Sequence, residues 1–210
     1  MVPKHPIDLS LLAETYEITP RRENEVLTEW LSASYSLTDF EEKLLRDVFE
    51  RTKDYINYFN EEELKIQLIS HIFYLAALDL DGQIKVYYER PLSAVVGEFR
   101  LSVVADCLVA TPMPFNKPRK PYFFLQEFKK GKGDNKDPEA QMLMAMLIAQ
   151  QKNQDGKPIY GSFIIGANWF FTTLTGTDYC LSREFNAANY TDLVQIVFLL
   201  RYLRTLILER

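Results

Sequence analysis

A mixed α/β domain around a central sheet is the fold class the sequence predicts, and three observations carry it. Apolar residues recur at helical spacing through about residue 78. Segments rich in valine and aromatic residues, with two-residue alternation, follow to residue 129. A helix-start signal at Asp137-Pro138, two or three further strands and a last apolar helix then complete the order: helices, three strands, helix, strands, helix.

The elements follow from local chemistry. Residues 8–60 read as helical, broken by Pro20 and by the Ser32/Ser34/Ser36 stretch. Thr38 and Glu41 have the spacing of a capping box. Asn60 caps the next helix, with Glu61, Glu62 and Glu63 in its first turn, where carboxylates suit the helix dipole. Leu64, Leu68, Ile72 and Leu75 continue its apolar face, and Asp81-Gly82 is a turn signal. Ile84–Glu89 and Ser93–Val96 read as strands, Gly97 as a turn and Phe99–Ala110 as a strand. Thr111–Pro121 holds four prolines and is expected to be a loop. Tyr122–Lys129 is a strand and 131–136 a short loop. Asp137 caps a helix with Pro138 at its first position, running to about Lys152. Gly161–Ala167 and Phe170–Leu174 are strands, with a third over Tyr179–Leu181, and Asn189 or Thr191 caps a final helix to about Leu208. Residues 1–59 form a helical N-terminal extension and 60–210 the α/β domain.

Composition narrows the function. The formal net charge of −5 argues against coating nucleic acid or membrane through bulk positive charge. The acidity is local: residues 1–65 carry 15 acidic and 8 basic residues, whereas 117–136 carry 7 basic and 2 acidic. Two cysteines are too few for a disulfide framework, and with two histidines they give no zinc-ligand spacing. No apolar leader opens the chain and no run approaches the ~18 apolar residues of a membrane span. The expectation is a cytoplasmic protein with no membrane partner.

Phosphate-loop, dinucleotide-binding, nucleophile-elbow and HExxH patterns are absent. One constellation remains. Alternation along Tyr122–Lys129 puts Phe123, Leu125, Glu127 and Lys129 on one face. Asp106 interrupts the apolar run Val103–Val109, where a carboxylate needs a partner, a metal or a sheet edge. If the two strands pair, Asp106 and Glu127 meet. Two close carboxylates repel and favour a hard divalent cation. A lysine beside them orients water or stabilises an anionic phosphate, and together these are the requirements of phosphodiester hydrolysis.

Asp106, then Glu127-Phe128-Lys129 across a hairpin, then a helix, resembles the PD-(D/E)XK nuclease-like superfamily. The resemblance covers Asn60 to Ala167, about half of the chain. It implies a restriction-endonuclease-like core, αβββαβ, with a mixed sheet flanked by helices, and Mg²⁺- or Mn²⁺-dependent hydrolysis of nucleic acid, with DNA as the polymer. Asp106 and Glu127 would ligate the metal. Glu63, with Glu62 as runner-up, matches a glutamate that family members carry on the first core helix. Gln141 matches a glutamine on the helix after the ExK strand. The sequence departs from the pattern in three places. Alanine rather than proline precedes Asp106, a proline-rich excursion lengthens the hairpin, and Ala145 stands where some members have tyrosine.

The expected site is therefore Asp106, Glu127, Lys129 and Gln141, with Glu63, Asp106 and Glu127 toward the metal. Lys117, Arg119, Lys120, Lys130, Lys132 and Lys136 are expected on phosphates. Against this stand plainer readings: a structural Asp106, cross-strand ion pairing of Glu127 and Lys129 at a sheet edge, a solvated Glu63, an exposed Gln141 and a solvated basic loop. The alternative function is a catalytically idle nuclease-like module acting through protein–protein contact. The final helix, apolar nearly all round, either packs on the N-terminal helices or forms a homodimer interface.

Overall fold

A computed structural model describes residues 2–129 and 137–209. The chain forms α1 (Leu9–Thr15), β1 (Thr19–Arg21), α2 (Glu25–Leu31), α3 (Asp39–Thr52) and α4 (Glu61–Leu64). A π-helical turn over Lys65–Ile69 joins α4 to α5 (Ser70–Ala76). β2 (Lys85–Val96), β3 (Phe99–Met113) and β4 (Lys117–Lys129) follow as an antiparallel meander. Then come α6 (Pro138–Asn153), β5 (Ile159–Ile165), β6 (Asn168–Thr175), β7 (Asp178–Leu181), β8 (Phe185–Asn186) and α7 (Tyr190–Leu208).

The strands make one open, mixed sheet in the order β1-β7-β6-β5-β4-β3-β2, with β8 on β6. α6 carries the chain from β4 to β5, which are parallel. Parallel neighbours need such a crossover, and the helix covers the sheet face it crosses. One face of the sheet is covered by α1 and α6, the other by α2, α3, α5 and α7. The element order helix, three antiparallel strands, helix, parallel strand is present from Glu61 to Ile165.

The caps form as their chemistry requires. Thr38 Oγ1 accepts the Glu41 N–H at 3.3 Å while Glu41 Oε2 accepts the Thr38 N–H at 2.8 Å. Asn60 and Glu63 make the same reciprocal pair at 2.9 and 2.8 Å. Asp137 Oδ1 accepts from Glu139 and Ala140, starting α6 at Pro138.

Several expectations are corrected. The two strands expected over Ile84–Glu89 and Ser93–Val96 are one, β2, which begins at Lys85, while Ile84 bridges to Leu80 just before it. Thr111–Pro121 is no loop: β3 runs to Met113 and β4 starts at Lys117, leaving Pro114–Asn116 as the turn. Pro112 and Pro118 face each other across the ladder. Neither has an N–H to offer. The loss is small there because pairing with β2 stops at Ala110 and pairing with β5 at Phe124, so the hairpin's end is a free two-stranded ribbon. Within the segment expected to be helical, Thr19–Arg21 pairs parallel to β7 instead. Residues 1–59 thus contribute a strand to the sheet, and Leu27, Trp30, Leu45 and Val48 enter the same core as α5 and α7.

α7 takes the first of its two alternatives. Its buried residues Leu193, Ile196, Val197, Leu199, Leu200, Leu203 and Ile207 pack on the chain's own helices. Trp30 Nε1 donates to the Leu199 carbonyl at 2.8 Å, Gln195 to the Ala33 carbonyl and Arg201 to that of Leu75. The apolar face that suggested a homodimer is covered from within. Among the described residues, no helix is long and apolar enough to cross a membrane.

Candidate active site

The site forms where β2, β3 and β4 pass beneath the start of the first core helix. Alternation on β3 slips by one residue at Asp106. Val103 and Ala105 share a cluster with Leu108 and Ala110, a spacing of three where two is regular. β2 slips beside it, between Tyr87 and Leu92, across Glu89 with φ of +52°. A non-glycine residue in the left-handed region costs free energy, and such strand irregularities re-aim side chains. Here the slip puts a carboxylate inside an otherwise apolar strand. Asp106 Oδ2 accepts the Phe128 N–H of β4 at 2.8 Å.

On β4, Glu127 and Lys129 point the same way, as the period of two requires. Both are buried, at 2% and 6% exposure, and Asp106 is at 8%. Lys129 Nζ donates to Glu127 Oε1 at 2.9 Å and to the Phe128 carbonyl at 2.9 Å, and lies 3.5 Å from Glu61 Oε1. The strand holding these residues is flanked on both sides, by β3 and β5.

Burial, and then the Asp106 charge, push the Glu127 carboxyl up to about 7 against the opposing pull of Lys129. Burial also raises Asp106, more than the Phe128 N–H and the charges of Lys129 and Lys65 lower it. Burial alone would lower Lys129, but Glu127, Asp106 and Glu61 together hold it above its ordinary value.

The structure thus brings together Asp106, Glu127 and Lys129. It does not bring Glu63, whose carboxylate is spent on the Asn60 N–H. Glu62 pairs with Lys65 at 3.2 Å. Gln141 sits in the first turn of α6, its Oε1 buried without a hydrogen-bond partner among the described residues. Lys117, Arg119 and Lys120 are exposed at the far end of the β3–β4 hairpin, with no ion pair to the site among the described residues. Lys130, Lys132 and Lys136 lie outside the described residues.

Three participants were missed. Glu61 reaches Lys129 from α4. Lys65, mostly buried in the π turn, pairs with Glu89 at 2.6 Å and acts on Asp106 through its charge. Glu89 closes the group from β2. A signal for Glu61 existed: a capping box engages the third helical glutamate, leaving the first free. Lys65 had none, because a π turn shifts the angular spacing on which helical patterns rest.

Glu61, Glu62, Glu89, Asp106 and Glu127 surround Lys65 and Lys129, five carboxyl groups to two ammonium groups. No group of three or more His, Cys, Asp or Glu side chains stands arranged to hold a metal ion among the described residues. The donor set nonetheless suits a hard cation, since it is all oxygen and in formal negative excess. No family model matches this chain, and no curated protein matches it.

Proposed function

We propose that this chain is a Mg²⁺-dependent nuclease, hydrolysing phosphodiester bonds of nucleic acid with DNA as the polymer, on a restriction-endonuclease-like core of the PD-(D/E)XK kind. The observation that carries the reading is the burial of Asp106, Glu127 and Lys129 side by side on neighbouring strands. Burying three ionisable groups within one sheet costs several kcal/mol, and an apolar trio would serve folding better.

Asp106 and Glu127 would hold the cation, with Glu61 the nearest helix-borne carboxylate. When bound, Mg²⁺ acidifies a water and offsets charge on the phosphate. The remaining work belongs to the chain. Lys129, fixed by Glu127 and the Phe128 carbonyl, aims its ammonium at an incoming phosphate oxygen or at the attacking water. Glu127, lifted to about 7 without a cation, gives up its proton when it becomes a ligand, so cation binding strengthens as pH rises toward neutrality. Asp106 is anchored by the Phe128 N–H, so its second oxygen keeps a fixed aim.

A second reading is a catalytically idle module of the same architecture, acting through protein contact. It is favoured by Glu127 being paired to Lys129 and by the lack of a preformed three-ligand group among the described residues. Incubation with plasmid, linear duplex, single-stranded DNA and RNA, in Mg²⁺ or Mn²⁺ and in chelator, separates the two. Metal-dependent cleavage that disappears in Asp106→Asn and Lys129→Ala supports the nuclease. No cleavage of any substrate, with no metal-dependent rise in melting temperature, leaves the module.

A further inference from the structure

The turn of the β3–β4 hairpin carries a residue that folding does not explain. Phe115 is 94% exposed, with φ of +62°, and Asn116 follows at +56°. Two successive positive φ values suit the tight turns that favour asparagine and glycine, and a bulky aromatic is a poor occupant of that conformation. Phe115 therefore costs backbone energy and returns no buried area.

The turn is also held in place. Tyr87 Oη donates to the Lys117 carbonyl at 3.0 Å and Arg90 Nη2 to the Asn116 carbonyl at 3.3 Å. Asn153 of α6 clasps the base of the ribbon through the Tyr122 N–H and carbonyl, at 2.8 and 2.7 Å. The aromatic ring is presented on a fixed platform, which reduces the ordering cost of a contact.

Charge selects the partner. From Cys107 to Gln126 the chain holds Lys117, Arg119 and Lys120 and no carboxylate. All three cations are exposed and none takes an ion pair among the described residues. They lie on β4, while Asp79 and Asp81 line the hollow on the β2 side of the turn, so a polyanion approaches from the β4 side. A ring flanked by unpaired cations matches a base flanked by phosphates.

We propose that this turn is a base-stacking contact: Phe115 stacks on an unpaired base of a bound nucleic acid whose phosphates are held by Lys117, Arg119 and Lys120. The inference rests on the nuclease reading for its substrate class, but it concerns binding, and the two can fail separately.

The test is binding of a single-stranded oligodeoxynucleotide of about 16 nucleotides, followed by fluorescence anisotropy in chelator, over a range of salt. Phe115→Ala should weaken binding roughly five- to 100-fold without changing the salt slope. Phe115→Trp should restore it. Replacing Lys117, Arg119 and Lys120 together by alanine should lower the log–log salt slope by about 2, at ~0.7 per lost single-strand contact. Matching melting temperatures would exclude unfolding as the cause.

Unchanged affinity in Phe115→Ala overturns the contact, whether or not wild type cleaves DNA. So does an effect of Phe115→Ala on binding to phosphatidylcholine–phosphatidylserine vesicles but not to DNA, which would make the turn a membrane contact. Wild type that binds DNA through Phe115 but never cleaves it in Mg²⁺ sustains the contact and removes the nuclease reading alone.

Discussion

Asp106 and Phe128 are joined by a side chain in a place where the sheet would use backbone. The Asp106 carboxylate accepts the Phe128 N–H at 2.8 Å, between the two residues of β4 that bear the other site charges. The contact makes one residue serve two purposes, completing the ladder and presenting charge, and different substitutions separate them.

Asp106→Asn retains an oxygen for the Phe128 N–H and removes the charge. It should fold with a melting temperature near that of wild type and lose any Mg²⁺-dependent rise in melting temperature. Asp106→Ala also leaves a buried N–H unpaired, which costs about 1–3 kcal/mol. Thermal melts of the two variants with and without Mg²⁺ check both statements. Equal melting temperatures for the asparagine and alanine variants would remove the structural half of the argument.

Glu127 sets a pH dependence. Its carboxyl, raised to about 7 from an ordinary 4.5, keeps its proton in the folded chain where the unfolded chain has lost it. The folded state therefore binds more protons between those values, and stability falls as pH rises from about 4.5 to 7, by on the order of 3 kcal/mol from this group. Glu127→Gln should flatten this part of the profile in urea titrations at several pH values. Saturating Mg²⁺ should flatten it as well, because a bound cation takes the place of the proton.

The family resemblance gives the helix-borne part to Glu63, whereas Glu61 is the carboxylate that faces Lys129 and Glu63 is held by the Asn60 N–H. Glu63→Ala should lose about 0.5–1.5 kcal/mol, one hydrogen bond of the capping box, and leave any hydrolysis intact. Glu61→Gln should melt almost as wild type, yet lower any hydrolysis rate or metal affinity, since Glu61 faces Lys129. Paired melting and cleavage measurements on both variants decide it.

Gly161 lies beneath α6 with no room above it. A Cβ there would stand 2.8 Å from Met142 Sδ, 2.9 Å from Thr172 Oγ1 and 3.1 Å from Met146 Sδ. Gly161→Ala should destabilise by about 1–3 kcal/mol, the usual cost of overpacking. The methionine sulfurs can yield, but Thr172 sits on the neighbouring strand. Chemical denaturation measures the loss directly.

What could be read from sequence was local. The capping boxes at Thr38 and Asn60, and the Asp137-Pro138 start of α6, depend on residues within a turn of one another, and they formed as spelled. The Glu127–Lys129 pair followed from the strand period, and its meeting with Asp106 needed only that β3 and β4 pair. What escaped depended on distant or irregular partners. β1 is three residues whose pairing lies with β7, far along the chain. Lys65 is aimed by a π turn and Glu89 by a left-handed residue, each a break in periodicity. The prolines of the hairpin suggested a loop because their tolerance there rests on where β2 and β5 stop, which local sequence does not encode.

The seat of Trp30 has a consequence for the order in which the molecule can be made. Its indole donates to Leu199, 169 residues further along, and lies against Phe124, Tyr160 and Phe171. A ribosome releases α2 and α3 long before any of these partners exists. Until α7 emerges, Trp30 lacks its hydrogen-bond acceptor and the N-terminal helices lack part of their apolar cover, and such exposed surface is what promotes aggregation during synthesis. The core around Trp30 is thus closed only once α7 is made, and a nascent chain halted before Tyr190 should depend on chaperones in a way that a chain including α7 does not.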